Sequence, residues 1–292
     1  MLSKREWVWG YLLIAPMALG LGVFYLWPIA QTLYLSFTES GVFGGHTWVG
    51  TDNFTELLGD DQMRGALGNT LLYAVLVLAG VPVAIVVAAL LNVPGLRGMS
   101  VYRTLYFLPV VTMPAAVGLT WRYLFNGDFG AINHFLGELG IDGPYWVSDP
   151  DFAIYAIAIV GVWSSVGYNA VLFLAGLQGI PRQYYEAASM DGAGRLRQFF
   201  RITLPLLTPT TFFVLVITMI NALQVFDLVY LMIDLDGPAL NGSRTIVYLF
   251  FEKGFVQNQR GLAAAIAVVL LGLILVLTAI QFRLQKKWVH YE

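Results

Sequence analysis

Residues 179–205 read GIPRQYYEAASMDGAGRLRQFFRITLP. They lie between two long apolar runs and form the longest polar interruption that carries several arginines. That placement predicts a loop presented at one face of a membrane. Pro181 suits the first turn of a helix, where its missing N–H costs nothing. Arg182 to Asp191 contains good helix formers, among them Ala187 and Ala188. Gly192 is placed to close that helix in a left-handed cap. A second helical stretch is expected from Gly194 to about Thr203. Its Leu196, Phe199, Phe200 and Ile202 offer an apolar side, while Arg195, Arg197 and Arg201 can reach lipid phosphates. The small alanines leave room for another protein to approach. Local physics is served equally by an ordinary solvated helical turn between membrane spans.

The flanking apolar runs extend through the whole chain. Of 292 residues, 58% are hydrophobic and 12% charged, against roughly a quarter charged in soluble domains. Mean hydropathy is +0.70 and net charge −2. An all-α membrane protein is expected, and nucleic-acid binding gains no support. With no cysteine, disulfide and thiolate chemistry are excluded. Six charge-free gaps reach 18 positions or more: 7–38, 65–96, 104–121, 152–181, 202–226 and 261–282. Each holds a span of about 20 residues. The spans are predicted at about 8–28, 69–91, 103–124, 153–177, 206–232 and 262–282, in one transmembrane domain over 1–292. The first is read as retained, since its apolar run is too long for a cleaved signal.

Lys4, Arg5, Arg97, Arg103, Arg182, Arg195, Arg197, Arg201, Arg283, Lys286 and Lys287 fall on one side. Arg64, Arg122, Arg244, Lys253 and Arg260 fall on the other. The richer side is expected to be cytoplasmic, with both termini and the 179–205 loop inside.

Several stretches carry possible function. Phe43, Trp48 and Phe54 in the outer segment 38–66 imply that it folds against something. Pro109 and Pro114 must interrupt backbone hydrogen bonding within the third span, and such breaks need protein or cavity surroundings. The outer loop 126–151 has five acids, Asp128, Glu138, Asp142, Asp149 and Asp151; a solvated loop is the simpler reading and a docking surface the other. Trp163, Ser164, Ser165, Tyr168 and Asn169 sit near the middle of the fourth span. An indole with nearby hydroxyl and amide groups suits a sugar; interhelical packing serves equally well. In the fifth span, Asn221, Gln224 and Asp227 share a sector of about 120° if the helix is continuous. An intramembrane carboxylate is a functional candidate, with a structural cap or ion pair as the alternative. No Gly-Lys pair occurs, so there is no phosphate-binding P-loop. His46, His134 and His290 lack metal-ligand spacing, and no GxSxG or HExxH is present. No enzymatic activity is expected.

Glu186-Ala187-Ala188, three residues, Gly192, nine residues, Ile202, one residue, Leu204-Pro205: this pattern resembles the EAA loop of ABC importer permeases. The resemblance continues through TDNFTELLGDDQMRGALGNTLLY, where Asn69 and Thr70 match the "NT" that opens the second span. By its bare chemistry, Asn69 is a polar residue at a helix start. Arg103, Pro109, Trp121, Gly130 and Asn133 match the pattern around the third span, and Phe226, Asp227, Tyr230, Gly237 and Pro238 that after the fifth. Asp236 and Ile233 depart from it, standing where Gly and Thr are usual.

The chain is most similar to carbohydrate-type permeases, such as those for maltose and glycerol phosphate. The resemblance implies a type I importer fold with six transmembrane helices and a cytoplasmic coupling loop. It implies that Glu186, Ala187, Ala188, Asp191 and Gly192 couple to an ATPase. It also implies a second homologous permease, two ATPase subunits holding ATP and Mg, and an extracytoplasmic solute-binding protein. The setting would be a bacterial or archaeal cytoplasmic membrane, and the cargo a sugar, oligosaccharide or polyol. Trp163, Tyr168, Asn221, Gln224 and Asp227 are the candidates for the solute path. The alternative is a proton-coupled secondary transporter that titrates Asp227.

Overall fold

The computed structural model describes residues 4–41, 45–93 and 98–289. Phe43, Arg97 and His290 lie outside them, as do the side chains of Lys4, Arg5 and Trp7. The chain is helical almost throughout. In order it forms α1 (Lys4–Leu21), a π-helical turn (Gly22–Leu26), α2 (Trp27–Leu35), β1 (Thr38–Ser40), β2 (His46–Trp48), α3 (Asp52–Gly59), α4 (Asp61–Leu78) and α5 (Val81–Leu91). Then come α6 (Met99–Val111), α7 (Pro114–Leu124), α8 (Ala131–Glu138), α9 (Ala153–Gln178), α10 (Arg182–Met190), α11 (Arg195–Gln198), a second π turn (Phe199–Thr203) and α12 (Leu204–Leu206). The chain ends with α13 (Thr208–Leu223), α14 (Asp227–Met232), α15 (Ala239–Ser243), α16 (Ile246–Phe251), a third π turn (Glu252–Val256) and α17 (Arg260–Gln285).

Among the described residues, four helical runs are long and apolar enough to cross a bilayer: Trp9–Leu35, Asp61–Leu91, Ala153–Gln178 and Arg260–Gln285. Two bent pairs bring the number to six when each counts as one span, Met99–Val111 with Pro114–Leu124 at 101° and Arg195–Leu206 with Thr208–Leu223 at 65°. The third span is therefore broken rather than straight. Its break falls at Thr112–Met113, just before Pro114. That location follows from the steric clash that drives a pre-proline residue into the extended region: Met113 has φ −60° and ψ 128°. Pro109 stays inside α6.

The chain divides into two compact units. The first comprises residues 1–61 and 249–272. Segment 38–66, expected as a loop, is folded in its described part. Its hairpin pairs Thr38 with Trp48 and Ser40 with His46. Asn53 is buried and donates to the carbonyls of Ser36 (2.9 Å) and Thr38 (3.0 Å), tying α3 to the hairpin. Phe37 stacks on Trp48 at 5.5 Å and tilts against Phe54 at 5.4 Å. The Thr38 carbonyl lies where a side chain on Gly261 would stand, so only glycine fits there.

The second unit comprises residues 62–248 and 273–292. Its core is the contact of α5 with α9, closed by α13: Ala84, Ala88, Ala170, Phe173, Leu207 and Val214 are almost wholly buried. Helices in a bilayer gain no hydrophobic drive from each other, so small residues that allow close approach carry the packing. Gly167 is the extreme case, since the carbonyl of Tyr106 occupies the place of a β-carbon. Asn69 does not start a helix. It lies inside α4, because the helix already starts at Asp61. Its amide donates to the carbonyls of Arg244 (3.1 Å) and Asn241 (3.4 Å), while Thr70 accepts the N–H of Ile246 at 3.0 Å. Segment 126–151 also folds, around α8. Asn133 donates to the carbonyls of Gly127, Pro144 and Gly143 and accepts from the Trp146 indole at 2.7 Å.

Candidate functional site

Two places hold the residues that the sequence singles out. The first is the 179–205 loop. Helix α10 buries none of its residues, and Glu186 and Ala187 are exposed. It ends in a Schellman motif: the Gly192 N–H donates to the Ser189 carbonyl (3.1 Å) and the Ala193 N–H to the Ala188 carbonyl (2.9 Å). This closure needs a left-handed residue, and Gly192 supplies it with φ +77°. Gln198 of α11 reaches back across the turn, donating to the Ser189 hydroxyl and the Ala193 carbonyl at 2.9 Å each. Tyr185 and Thr203 share a further bond of 3.0 Å. The two short helices are thus clasped into one projection. The expected apolar side of the second divides: Phe199 packs on the α5–α9 core, whereas Leu196 and Phe200 stay exposed beside Arg197 and Arg201.

The second place is a cavity of about 390 Å³ within the second unit. Its walls come from Tyr73 of α4, Thr112 and Pro114 at the α6–α7 break, Ser164, Ser165, Tyr168 and Asn169 of α9, Thr218 and Asn221 of α13, and Gln224 to Leu228. Tyr168, Asn221, Gln224 and Asp227 are thereby brought together. Trp163 is not among the walls. Its ring meets Trp121 edge-on at 5.5 Å, the interhelical packing that was the alternative for this residue.

The shared-sector argument for the fifth span fails in an instructive way. Helix α13 ends at Leu223, and α14 begins at Asp227. Asn221 and Asp227 therefore occupy different helices, and the break at Gln224–Phe226, not helical periodicity, turns both toward the cavity. Ser164, Ser165 and Asn169, named with Tyr168 as groups that suit a sugar, line it too, and Tyr73 and Thr218 line it without having been singled out. Thr218 precedes Asn221 by one turn, and that spacing was a usable signal.

Hydrogen bonding divides the walls. Asn169 and Thr218, both buried, satisfy one another at 3.1–3.3 Å. Ser165 and Gln224 bond back to the carbonyls of Val162 and Ile220. Among the described residues, the side chains of Ser164, Tyr168, Asn221 and Asp227 have no protein partner. Amide, hydroxyl and carboxylate groups that face an open cavity unpaired are what a polyhydroxylated solute requires. No group of three metal-ligating side chains occurs among the described residues.

Residues 58–290 match the family described as binding-protein-dependent transport system inner membrane component. The chain belongs to this family. It is an integral inner-membrane permease of the ABC importer type and the non-catalytic component of its system. The permease is 39% identical to the probable ABC transporter permease protein YesP of Bacillus subtilis (strain 168), over 99% of this chain and 94% of that one. It is 36% identical to the sn-glycerol-3-phosphate transport system permease protein UgpA of Salmonella choleraesuis (strain SC-B67), over 99% and 97%. Its fold is that of a chain in the crystal structure of a bacterial alginate ABC transporter in complex with an alginate pentasaccharide-bound periplasmic protein. There the TM-score is 0.85 at 24% identity, covering 97% of this chain and 96% of that one. The fold class is that of a type I importer permease with six spans, its third and fifth built from the bent pairs. Membership of a binding-protein-dependent system favours the ATP-driven reading over the proton-driven one.

Proposed function

We propose that this permease forms the path by which a sugar, oligosaccharide or polyol enters the cell, driven by ATP bound on another subunit. The observation that carries the reading is the cavity between broken helices, with unpaired hydroxyl and amide groups in its walls. Tyr168, Asn221, Gln224 and Asp227 contact the solute. The clasped 179–205 projection is the handle for the motor: Glu186, Ala187, Ala188, Asp191 and Gly192 dock on the ATPase, whose closure moves α10. The distribution of Lys and Arg puts this loop and both termini in the cytoplasm. The whole chain acts as one transmembrane permease domain in a bacterial or archaeal membrane. Its partners are a second homologous permease, two ATPase subunits that bind ATP and Mg, and an extracytoplasmic solute-binding protein. Solute moves by alternating access, since ATP binding acts through its preference for one of two conformations.

Co-purification in mild detergent, followed by uptake into proteoliposomes, tests this. The expected result is an ATPase and a solute-binding protein in the isolated complex, with uptake of neutral carbohydrates strictly dependent on enclosed ATP. Glu186→Lys should abolish uptake while membrane insertion persists. Uptake by the permease alone, or uptake abolished by collapsing a proton gradient with ATP present, would overturn the proposal.

A further inference from the structure

The run from α11 to α12, which leads from the 179–205 projection into α13, presents two kinds of side chain on its outer side. Leu196 and Phe200 are 74% and 57% exposed, and Arg197 and Arg201 are exposed beside them. Residues four apart share a helical face, so the two apolar side chains and the two guanidiniums form adjacent stripes. Phe199 turns the other way and packs on the α5–α9 core, and Arg195 lines a hollow with Asn92 and Gln198. Among the described residues, neither Arg197 nor Arg201 has a hydrogen bond or ion pair. No Asp or Glu occurs between Asp191 and Asp227. The run meets α13 at 65°, so with α13 crossing the bilayer it lies nearer the membrane plane than the membrane normal. We propose that this face docks on the anionic lipid surface of the inner leaflet, with Leu196 and Phe200 sunk among the acyl chains and Arg197 and Arg201 on lipid phosphates, and that the docking fixes the base from which the ATPase moves α10.

An amphipathic run with arginines along one side lies in the interface, its apolar stripe below the headgroups. The arginine stems follow their apolar neighbours while the guanidiniums stay at phosphate level. Each arginine near an anionic surface favours the docked position about fivefold, so the pair favours it about thirtyfold. The effect reaches only about one Debye length, roughly 8 Å in physiological salt. The same field acts oppositely on the neighbouring helix. Glu186 of α10 and Asp191 at its end are repelled by anionic lipid and stay in water, where the ATPase can reach them. Motor and membrane thus take different surfaces of one projection, the acid-bearing helix and the arginine-bearing run. The choice of the inner leaflet rests on the coupling-loop reading above.

The chain has no cysteine, so a single label can be placed at will. A fluorophore on Leu196→Cys is compared with one on Met190→Cys, at the end of α10 and 84% exposed. Both are read in the intact complex, in vesicles that contain spin-labelled phospholipid. In phosphatidylglycerol-rich vesicles the label at 196 should be quenched severalfold more than the label at 190. Arg197→Gln with Arg201→Gln should lower that quenching to its level in phosphatidylcholine vesicles. Arg197→Lys with Arg201→Lys should not, since a lipid surface reads charge rather than the arginine fork. ATP-driven uptake should rise severalfold from phosphatidylcholine to phosphatidylglycerol vesicles, and the Gln pair should lose that rise. Inorganic phosphate added to phosphatidylcholine vesicles should reproduce neither effect, because it offers no apolar phase. Equal quenching at 196 and 190, a lipid dependence that survives in the Gln pair, or reproduction by free phosphate overturns the docking. A Gln pair that sheds the ATPase in detergent, where there is no bilayer, overturns it too, because the face then belongs to the ATPase interface. Quenching as expected with no ATP-driven uptake in any vesicle refutes the transport reading and leaves the lipid docking standing.

Discussion

Gly192 allows a sharp test of how the 179–205 projection works. Its φ of +77° lies in the left-handed region, which costs an ordinary L-residue about 1–2 kcal/mol. A β-carbon built there would meet nothing within 4 Å, so the penalty is one of backbone alone. Against it stand the two capping bonds at Ser189 and Ala188, worth about 0.5–1.5 kcal/mol each. For Gly192→Ala the two sides nearly cancel, and the cap is formed about half the time. Asn tolerates the left-handed region, whereas a β-branched residue there is an outlier. The expected order is therefore Gly, then Asn close behind it, then Ala at about twofold weaker ATPase retention, then Val about tenfold weaker, because apparent affinity falls with the competent fraction. The assay is ATPase retained per permease during detergent co-purification, together with the rate of ATP-driven uptake, both normalised to inserted permease. If Asn is as damaging as Val, close approach of a partner excludes any side chain and the conformational argument is refuted. If Val matches Gly, the cap plays no part in coupling.

Other substitutions probe the frame around both sites. Thr218→Val strands the buried amide of Asn169; the loss should be about 1 kcal/mol, between the soluble-protein range and the smaller average in bilayers, and a double-mutant cycle with Asn169→Leu in detergent melts should show the coupling. Gly167→Ala drives a β-carbon into the Tyr106 carbonyl and should cost about 1–3 kcal/mol, read as a lower melting temperature. Gly272→Ala, with nothing within 4 Å, should leave that temperature unchanged or slightly raised. Gln198→Leu removes both clasps between the short helices and should speed proteolytic cleavage between residues 190 and 195 severalfold.

Long helices were legible where a charge-free run is unbroken, since a bilayer demands such runs: the stretch read as 153–177 is the helix Ala153–Gln178. The 179–205 loop was legible because its punctuation is local. Pro181, Gly192 and the helix formers between them act within one turn of where they stand, and the structure puts α10 between that proline and that glycine. That 38–66 packs was legible in its aromatic residues, and Trp48 and Phe54 do meet Phe37; how it folds was not. What orders 38–66 is Asn53 reaching back 15 and 17 residues to two carbonyls, a pairing that no local pattern announces. Asn69 misled for the same reason. Its partners lie 172 and 175 residues away, so its neighbours in sequence made it look like a helix start. Trp163 was ambiguous because an indole packs on another aromatic ring as readily as on a sugar, and its contact with Trp121 comes from a different helix that no local pattern announces.

The breaks explain why the cavity lies where it does. A helix that stops inside a bilayer leaves carbonyls that lipid cannot satisfy. Helix α6 stops at Val111, and the hydroxyl of the next residue, Thr112, donates to the Leu108 carbonyl at 2.7 Å. Helix α13 stops at Leu223, and the amide of the next residue, Gln224, donates to the Ile220 carbonyl at 3.1 Å. Each break thus carries a polar side chain that bonds a carbonyl of the turn behind it, four residues back, and at Leu108 this adds to the bond from the Thr112 N–H. Thr112 and Gln224 both line the cavity, as do Pro114 and Asp227, the first residues of the helices that follow. A straight third or fifth span would turn these polar groups around a cylinder and present some of them to lipid. Interrupting both helices gathers them on one side, where carbonyls left over from the breaks can bond water or solute hydroxyls. Pro114 and the polar residues near the middle of apolar runs are therefore one feature: ending each helix there gathers its polar groups into one wall.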